Sequence, residues 1–408
     1  MKALILAAGE GTRMRPLTAN TPKPLIPVAG KPFLQHIIET LSEQQITDIY
    51  LLIGWKDRKI KEYFGDGKDF DVNVRYLYQE ERLGTAHAVG LASPVLDSDF
   101  LCLNGDIVVT SAYIQGILKF HKESKGNVMS LAKVKSPERF GVVELEGERI
   151  KDIIEKPKTP TSNLINAGIY IFTKEVFEAI EQTELSARGE YEITDTIKLM
   201  MAGSDVYGHV LDEPWVEIGM PWDLLNANKR LMASLESQVS GEIEKYTEIQ
   251  GAVRIGKGTK IKNGSYLIGP TIIGENCSIG PNCMIRPYTV VGNGCKVGNA
   301  VEIKNSLVMD SSNVPHNNYL GDSIIGERCN LGAGTKVANL RLDERNVKVV
   351  LRGKLVDTGL RKLGVIMGDD VKTGINCSIE PGTIIGEDSY LGPNALVKGN
   401  IAPRSRIH

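Results

Sequence analysis

The chain has no apolar run approaching the about 18 residues that a membrane-spanning helix needs, so an integral helical membrane protein is excluded. Its N-terminus lacks a cleavable signal pattern, and the expected address is the cytoplasm. None of its six cysteines forms a C-x-x-C pair. Cys102, Cys277, Cys283, Cys295, Cys329 and Cys377 stand alone, five of them among glycines in the C-terminal half, and they are expected to be reduced, packed thiols. Neither sign of charge is in excess: 48 Lys and Arg against 50 Asp and Glu leave a net −2, which argues against a generic nucleic-acid or anionic-membrane surface. Any anion must be held by local clusters, and the partners are expected to be small molecules.

Two nucleotide motifs are also missing. The strand-like run Ala3 to Ala7 leads into Gly9-x-Gly11, but the G-x-x-x-x-G-K-[ST] spacing of a Walker loop is absent, and Met14 stands where a dinucleotide fingerprint needs its third glycine. What is present is a turn in which glycines let backbone N–H groups face an anion, with Arg13, Arg15 and Lys23 adding full charges. This string predicts a phosphate site of another class.

The two halves differ in period. To about residue 232, apolar runs at Asp48 to Ile53, Val72 to Tyr78, Phe100 to Leu103 and Ile169 to Phe172 are separated by helical segments such as Phe33 to Ser42, which predicts an α/β domain with a largely parallel sheet. Its site should lie at the carboxyl ends of strands, where Gly9 to Arg15, Asn104 to Asp106 and Glu217 to Gly219 each follow an apolar run. A helix over Asp223 to Leu235 and a polar connector over 233–251 follow. From Ile255 aliphatic residues recur every six positions (Ile261, Leu267, Ile273, Ile279, Ile285, Val291, Val297, Ile303), often with glycine next, as a hexapeptide-repeat parallel β-helix requires. The register breaks at about Asp310 to Tyr319 and again at Arg341 to Lys362. Both breaks are read as loops on one face, the first carrying His316.

The strings Arg13-Met14-Arg15-Pro16-Leu17-Thr18, Thr21-Pro22-Lys23-Pro24-Leu25 and Lys31-Pro32 resemble the signature of the sugar-1-phosphate nucleotidylyltransferases. The resemblance implies a Rossmann-like nucleotidyltransferase domain in which Leu6, Ala7, Ala8, Gly9 and Gly11 contact the nucleotide, Arg13 meets the triphosphate, and Lys23 serves the reacting centre. It implies that Gln79, Gly84 and Thr85 read the base, and that Gly141, Glu155 and Asn166 bind the sugar phosphate. Mg²⁺ is then held by Asp106 and by Glu217, the latter standing where relatives commonly carry Asp or Asn. Such a site joins two anions by in-line attack, so cations and positioning are its main needs.

The stretch from Arg286 to Lys362 is similar to the acetyltransferase half of bifunctional GlmU-type enzymes. There His316-Asn317-Asn318-Tyr319-Leu320-Gly321-Asp322 matches the block H-x-x-Y-x-G-D, whose histidine is the general base. The resemblance implies that Arg286, Lys304, Tyr319, Asn330 and Lys362 bind the acetyl acceptor, with Asn339 and Ala333 contacting acetyl-CoA. It also implies a left-handed β-helix and assembly into trimers or dimers of trimers. Arg286 and Lys304 break the small-residue rule of the repeat at two separate rungs. The chain departs from the family in its long connection from Asp343 to Leu360 and in Ile375, where bacterial enzymes tend to carry serine.

The expected organisation is therefore a nucleotidylyltransferase domain over 1–232, a connector over 233–251 and an acetyltransferase β-helix over 252–408. The expected function is acetyl-CoA-dependent acetylation of glucosamine-1-phosphate or galactosamine-1-phosphate, followed by Mg²⁺-dependent transfer of UMP from UTP, or dTMP from dTTP. The alternative keeps only the nucleotidylyltransferase, acting on glucose-1-phosphate, with a structural or regulatory β-helix. A scaffold with a dead nucleotide fold is opposed by intact Arg13, Lys23 and Asp106.

Overall fold

The computed structural model describes residues 1–408 and divides into two compact units. The first comprises Met1–Glu10, Pro22–Leu25 and Phe33–Glu217; the second comprises Gly11–Thr21, Ile26–Pro32 and Ile218–His408.

The first unit is built on a nine-stranded sheet. Its strands are β1 (Lys2–Leu6), β2 (Asp48–Ile53), β3 (Asn73–Tyr78), β4 (Phe100–Asn104), β5 (Asn127–Lys133), β6 (Gly141–Glu146), β7 (Arg149–Glu155), β8 (Leu164–Phe172) and β9 (Val206–Val210), in the spatial order β3-β2-β1-β4-β8-β5-β9-β7-β6. The four strands at the β3 end are mutually parallel, as the alternation predicts. Beyond them the sheet is mixed: β8 runs antiparallel to β4, β5 and β6. The segment Ile169 to Phe172 is the end of this longer strand, whose hydrophobic run alone carries no information on direction. Helix α1 (Phe33–Glu43) buries Phe33, Leu34, Ile37, Ile38 and Leu41, the spacing that gives a helix one apolar stripe. The long helix Ser111–Ser124 starts at Thr110, whose hydroxyl accepts from the Tyr113 amide and satisfies one of the donors that a helix start leaves open.

In the second unit three parallel sheets stack coil upon coil. The first face runs through Val253–Ile255, Thr271–Ile273 and Thr289–Val291; the second through Lys260–Ile261, Ser278–Ile279 and Lys296–Val297; the third through Tyr266–Ile268, Met284–Ile285 and Glu302–Lys304. Each repeat's aliphatic residue points inward: Ile261, Ile279, Ile285 and Ile303 are all fully buried. Each such side chain contributes about 1.5–3 kcal/mol of apolar burial, but only because the next coil covers it. Gly256 shows what the corners demand, since a Cβ there would stand 2.6 Å from the carbonyl carbon of Gly274 one coil on.

Three features differ from the sequence expectation. The polar segment 233–251 is a first coil rather than a connector, pairing Val239 with Ile255, Ile243 with Ile261 and Ile249 with Leu267. As an end coil it is covered from one side only, so it tolerates polar residues and exposes Val239 and Ile243. The break at Asp310 to Tyr319 is not a loop: Val297 pairs with Val314 and Ile303 with Leu320, so the coil is one residue short and the stacking continues. The break at Arg341 to Lys362 is a true insertion, and within it Lys348–Leu351 and Lys354–Asp357 form an antiparallel hairpin. The helix Asp223–Leu231 is shorter than predicted and groups with the second unit. All six cysteines are free and buried; burial alone pushes the Cys102 thiol far up, and that of Cys329 rises to about 12 for the same leading reason.

Candidate functional sites

In the first unit, the ends of β1 and β4 meet where the phosphate string begins. Ala7 and Ala8 are buried beyond β1, with the Ala7 amide on the Leu52 carbonyl at 2.8 Å. The Gly105 amide donates to the Leu6 carbonyl at 2.9 Å, which draws the Asn104-Gly105-Asp106 turn against the strand end. Only glycine fits there, because a Cβ on residue 105 would stand 2.7 Å from that carbonyl oxygen. Asp106 is thereby fixed at the strand end, and Lys23 reaches it from a short 3-10 turn, Nζ to Oδ2 at 2.7 Å. With side chains 13% and 29% exposed, the pair keeps one carboxylate edge and one ammonium face open to a ligand. Glu217 joins them, since its backbone bridges Ile107, next to Asp106, and the Val108 amide donates to the Val216 carbonyl.

The donor set suits Mg²⁺. No group of three or more Asp, Glu, His or Cys side chains forms a self-contained metal cage. Mg²⁺ ordinarily takes one or two carboxylates and completes its shell with water and phosphate oxygens, and Asp106 and Glu217 supply two carboxylates on adjacent backbone.

Around this centre, Gln79 is buried, with Nε2 3.3 Å from the Gly84 carbonyl and 3.2 Å from His87 Nδ1. Gly84 has φ 113 and packs so tightly on the Tyr191 backbone that a Cβ would approach its oxygen to 2.4 Å. The Thr85 hydroxyl accepts from the Ile193 amide, which anchors the start of Ile193–Met201. Gly141 pairs with Glu155, and a Cβ on Gly141 would lie 3.2 Å from Glu155 Oε2 and 3.5 Å from Asn166 Cβ; the three predicted sugar-phosphate residues are thus together. Asn166 donates to the Tyr170 hydroxyl at 2.7 Å and accepts from the Gly168 amide. Burial holds that phenol well above its usual range, so it stays a neutral partner. Sequence reasoning missed Arg188, which lies 3.0 Å from Glu155 Oε1 and 3.1 Å from Glu192 Oε1; Lys156 holds the same Glu155 oxygen at 2.9 Å. The charged run Arg188-Gly189-Glu190 was its only signal.

Gly11 and Arg13 belong to the segment grouped with the second unit. Gly11 takes the left-handed conformation (φ 66) that begins the 3-10 turn Thr12–Met14, and Arg13 on that turn is exposed. The hydroxyl of Thr18 donates to the Gly11 carbonyl and closes the loop.

The second unit carries its own cationic pocket, about 760 Å³, in which Arg286, Lys304 and Lys362 come together. Arg286 is held by Glu302, Nη1 to Oε1 at 2.8 Å. Asp322 is buried and accepts from Asn305 on Oδ1 and from Asn339 on Oδ2, both at 2.5 Å, with Lys304 Nζ 3.8 Å from Oδ2. Gly321 leaves space for this: a Cβ there would meet Asn339 Nδ2 at 2.5 Å and the Tyr319 hydroxyl at 2.7 Å. Burial, then the carboxylates of Glu302 and Asp322, raise the Tyr319 phenol and keep its proton on as a donor. Asn339, expected at acetyl-CoA, thus sits in the cluster around Asp322.

His316 does not line this pocket. It is exposed at the corner where the second face turns into the third, its carbonyl accepting from Gly334 one coil on, and Asn317 beside it takes a left-handed turn (φ 49) that asparagine tolerates. The third-face strand Tyr319–Gly321 separates the two, with His316 before one end and Asp322 after the other. Asn330 lies apart, on the second face between Asn313 and Lys372, and Ala333 sits on the corner beyond it, bonded through its carbonyl to the Asn376 amide. Neither meets Arg286 within one chain's pocket. Of the two carboxylates that hold these donors, Asp322 closes the H-x-x-Y-x-G-D block and Glu302 stands beside Ile303 of the repeat, and neither had an assigned role in the sequence.

Strand-end carboxylates beside a lysine, followed by a hexapeptide solenoid with a cationic pocket, define a nucleotidyltransferase joined to an acyltransferase-type β-helix. The nucleotidyl transferase family matches residues 2–234, the C-terminal domain named GMPPB matches 267–373, and six repeats of the bacterial transferase hexapeptide match 364–399. The hexapeptide match accords with the left-handed coil expected of the class. The chain is 44% identical over 409 residues to a protein of Methanocaldococcus jannaschii named bifunctional protein GlmU, covering all of this chain and 97% of the relative. It is 39% identical to a bifunctional sugar-1-phosphate nucleotidylyltransferase/acetyltransferase of Sulfurisphaera tokodaii, covering 98% of each. Among solved structures, a glucose-1-phosphate thymidylyltransferase from Bacillus anthracis, so named provisionally, matches with TM-score 0.53 and 32% identity, covering 58% of this chain and 97% of that one. This chain belongs to the family of bifunctional GlmU-type nucleotidyltransferase/acetyltransferases. It is an enzyme of two transferase domains, and no helix in it is long and apolar enough to cross a membrane.

Proposed function

We propose that the chain acetylates glucosamine-1-phosphate with acetyl-CoA and then transfers UMP from UTP to the N-acetylglucosamine-1-phosphate so formed, giving UDP-N-acetylglucosamine and pyrophosphate in the cytoplasm. The observation that carries the acetyltransferase half, against an inert β-helix, is the pocket that gathers Arg286, Lys304 and Lys362 on one side of the strand Tyr319–Gly321 while His316 stands before the other end. In this reading the acceptor's phosphate sits on the cations and its nitrogen, on the neighbouring ring carbon, faces the imidazole. The amine nitrogen attacks the thioester carbonyl carbon, His316 takes the amine proton, and the carbon–sulfur bond breaks to release CoA as the thiolate, which is then protonated. Tyr319 and the Asn339 amide, ordered by Asp322, orient the sugar.

In the nucleotidyl site a phosphate oxygen of the sugar attacks the α-phosphorus of UTP in line with the departing pyrophosphate. Mg²⁺, when bound through Asp106 and Glu217, supplies charge neutralisation on the phosphates. Lys23 on its proline-flanked turn adds a fixed positive charge, Arg13 meets the triphosphate, Leu6 to Gly11 contact the nucleotide, and Gln79, Gly84 and Thr85 read the base. Gly141, Glu155 and Asn166 bind the sugar. Lys156 and Arg188 hold Glu155 in place.

Asn330 lies on the second face, away from the third, so it reaches an acceptor on a neighbouring copy, whereas Ala333 stands at the His316 corner one coil on, where acetyl-CoA would lie. A homotrimer, or a dimer of trimers, that sets the second face of one copy against the third face of the next supplies this. Tyr390 and Leu396, apolar and exposed on those faces, support it.

The test is thiol release from acetyl-CoA with glucosamine-1-phosphate, together with pyrophosphate release from UTP with N-acetylglucosamine-1-phosphate and Mg²⁺. Both are expected. Preference for galactosamine-1-phosphate or dTTP redefines the substrates, and absence of thiol release with either amino sugar removes the acetyltransferase reading.

A further inference from the structure

The acceptor pocket is not made by the β-helix alone. Helix Asp223–Leu231, which precedes the first coil, lines it with Asp223, Asn226 and Lys229. The helix is pinned by Asn228, which is fully buried; its Oδ1 accepts from the Ala29 amide at 3.0 Å and its Nδ2 donates to the Tyr288 carbonyl at 2.8 Å. Those two bonds fix the next residue, Lys229, whose ammonium lies 5.7 Å from the centre of the Tyr288 ring.

The pocket's charges are unequal in what holds them. Arg286 is paired with Glu302, Lys304 approaches Asp322, and Arg361 pairs with Glu344. Asp223 is engaged with the Gly219 and Met220 amides at its own helix start. Lys229 and Lys362 pair with no carboxylate. Two uncompensated ammonium groups in a pocket roomy enough for a sugar phosphate are a reason for a dianion to bind there.

Resting on the acceptor role just proposed for this pocket, the geometry points to Lys229 as a phosphate-binding residue for the acetyl acceptor, supplied from outside the β-helix and held in place by Asn228 and Tyr288. Tyr288 supplies an apolar face that keeps the lysine stem extended, and Lys229 and Lys362 contact the phosphate from the helix wall and the insertion wall. No step of the acetyl transfer passes through Lys229, so its removal acts on acceptor affinity and leaves the chemistry at His316 in place.

The test compares wild type, Lys229→Met and Lys229→Arg in thiol release from acetyl-CoA. Lys229→Met is expected to raise KM for glucosamine-1-phosphate about 10- to 100-fold, the worth of one charge-assisted hydrogen bond, with kcat within about twofold. Lys229→Arg recovers most of the affinity, and the KM for glucosamine lacking phosphate is unchanged by either. A KM for glucosamine-1-phosphate within twofold of wild type in Lys229→Met overturns the assignment. Should wild type release no thiol, the acetyltransferase reading fails separately, and calorimetric binding of glucosamine-1-phosphate to wild type and Lys229→Met then decides the role of Lys229. Equal affinity for the two proteins overturns it.

Discussion

Each unit carries a candidate anion site, and the two are built by different means. In the α/β unit, Lys23, Asp106 and Glu217 come from distant parts of the chain and meet because strands deliver them to one edge. In the β-helix, Arg286 and Lys304 occupy the same position of successive coils, so stacking alone brings them together. The first arrangement concentrates function at the ends of secondary structure, where glycine-rich turns let backbone approach a ligand. The second writes function on a periodic surface, where one outward position per coil can be exchanged without disturbing the inward aliphatic residue.

The sharpest test of that contrast is a pair of single substitutions. Lys23→Ala is expected to lower nucleotidyl transfer about 10³-fold, the scale of losing one fixed charge-stabilising group, with thiol release unchanged. His316→Ala is expected to lower thiol release about 10²- to 10⁴-fold, as for loss of a general base, with pyrophosphate release unchanged. Loss of both activities in either variant would show that the sites are not independent.

Next in size is the solenoid core. Ile303→Ala removes a fully buried side chain between two coils and is expected to cost about 2–5 kcal/mol, read as a lower urea midpoint. An outward substitution on the same strand, Glu302→Gln, is expected to leave the midpoint nearly unchanged while weakening acceptor binding through Arg286. A midpoint that moves equally for the two would erase the inward–outward distinction.

The smallest effect is a pH dependence in the α/β unit. Burial raises the Glu192 carboxyl above its ordinary 4.5, against the opposing pull of Arg188. The folded state therefore keeps this proton to higher pH than the unfolded chain does. The stability contribution of Glu192 is intact below about pH 4.5 and declines as pH rises through the raised value. Glu192→Gln is expected to flatten that part of the urea midpoint against pH; an unaltered profile would assign the slope to other groups.

Much of this was legible in the residues, unevenly and for physical reasons. The six-residue period located the β-helix because every coil repeats the same burial problem, and the Lys23 and Asp106 strings located the strand-end site. Strand direction was not legible, since the antiparallel course of Leu164–Phe172 is set by sheet neighbours that its own hydrophobicity does not name. The break at Asp310 to Tyr319 resembled an insertion because one residue is lost just before it, between Ile303 and Val308, and that shifts the period as much as adding several. Polar composition hid the end coil at 233–251, which buries only one side. Arg188 and Lys229 carried no periodic or motif signal; their roles arise from what folds against them.

The account's central claim is two independent active sites on one chain, and mixing tests it most directly. Lys23→Ala and His316→Ala would be combined at equal concentration with glucosamine-1-phosphate, acetyl-CoA, UTP and Mg²⁺, and UDP-N-acetylglucosamine followed over time. Each variant alone is predicted to form almost none, and the mixture is predicted to form it after a lag while the acetylated sugar phosphate passes through solution. A mixture as inactive as its components, with both proteins folded, would contradict the account.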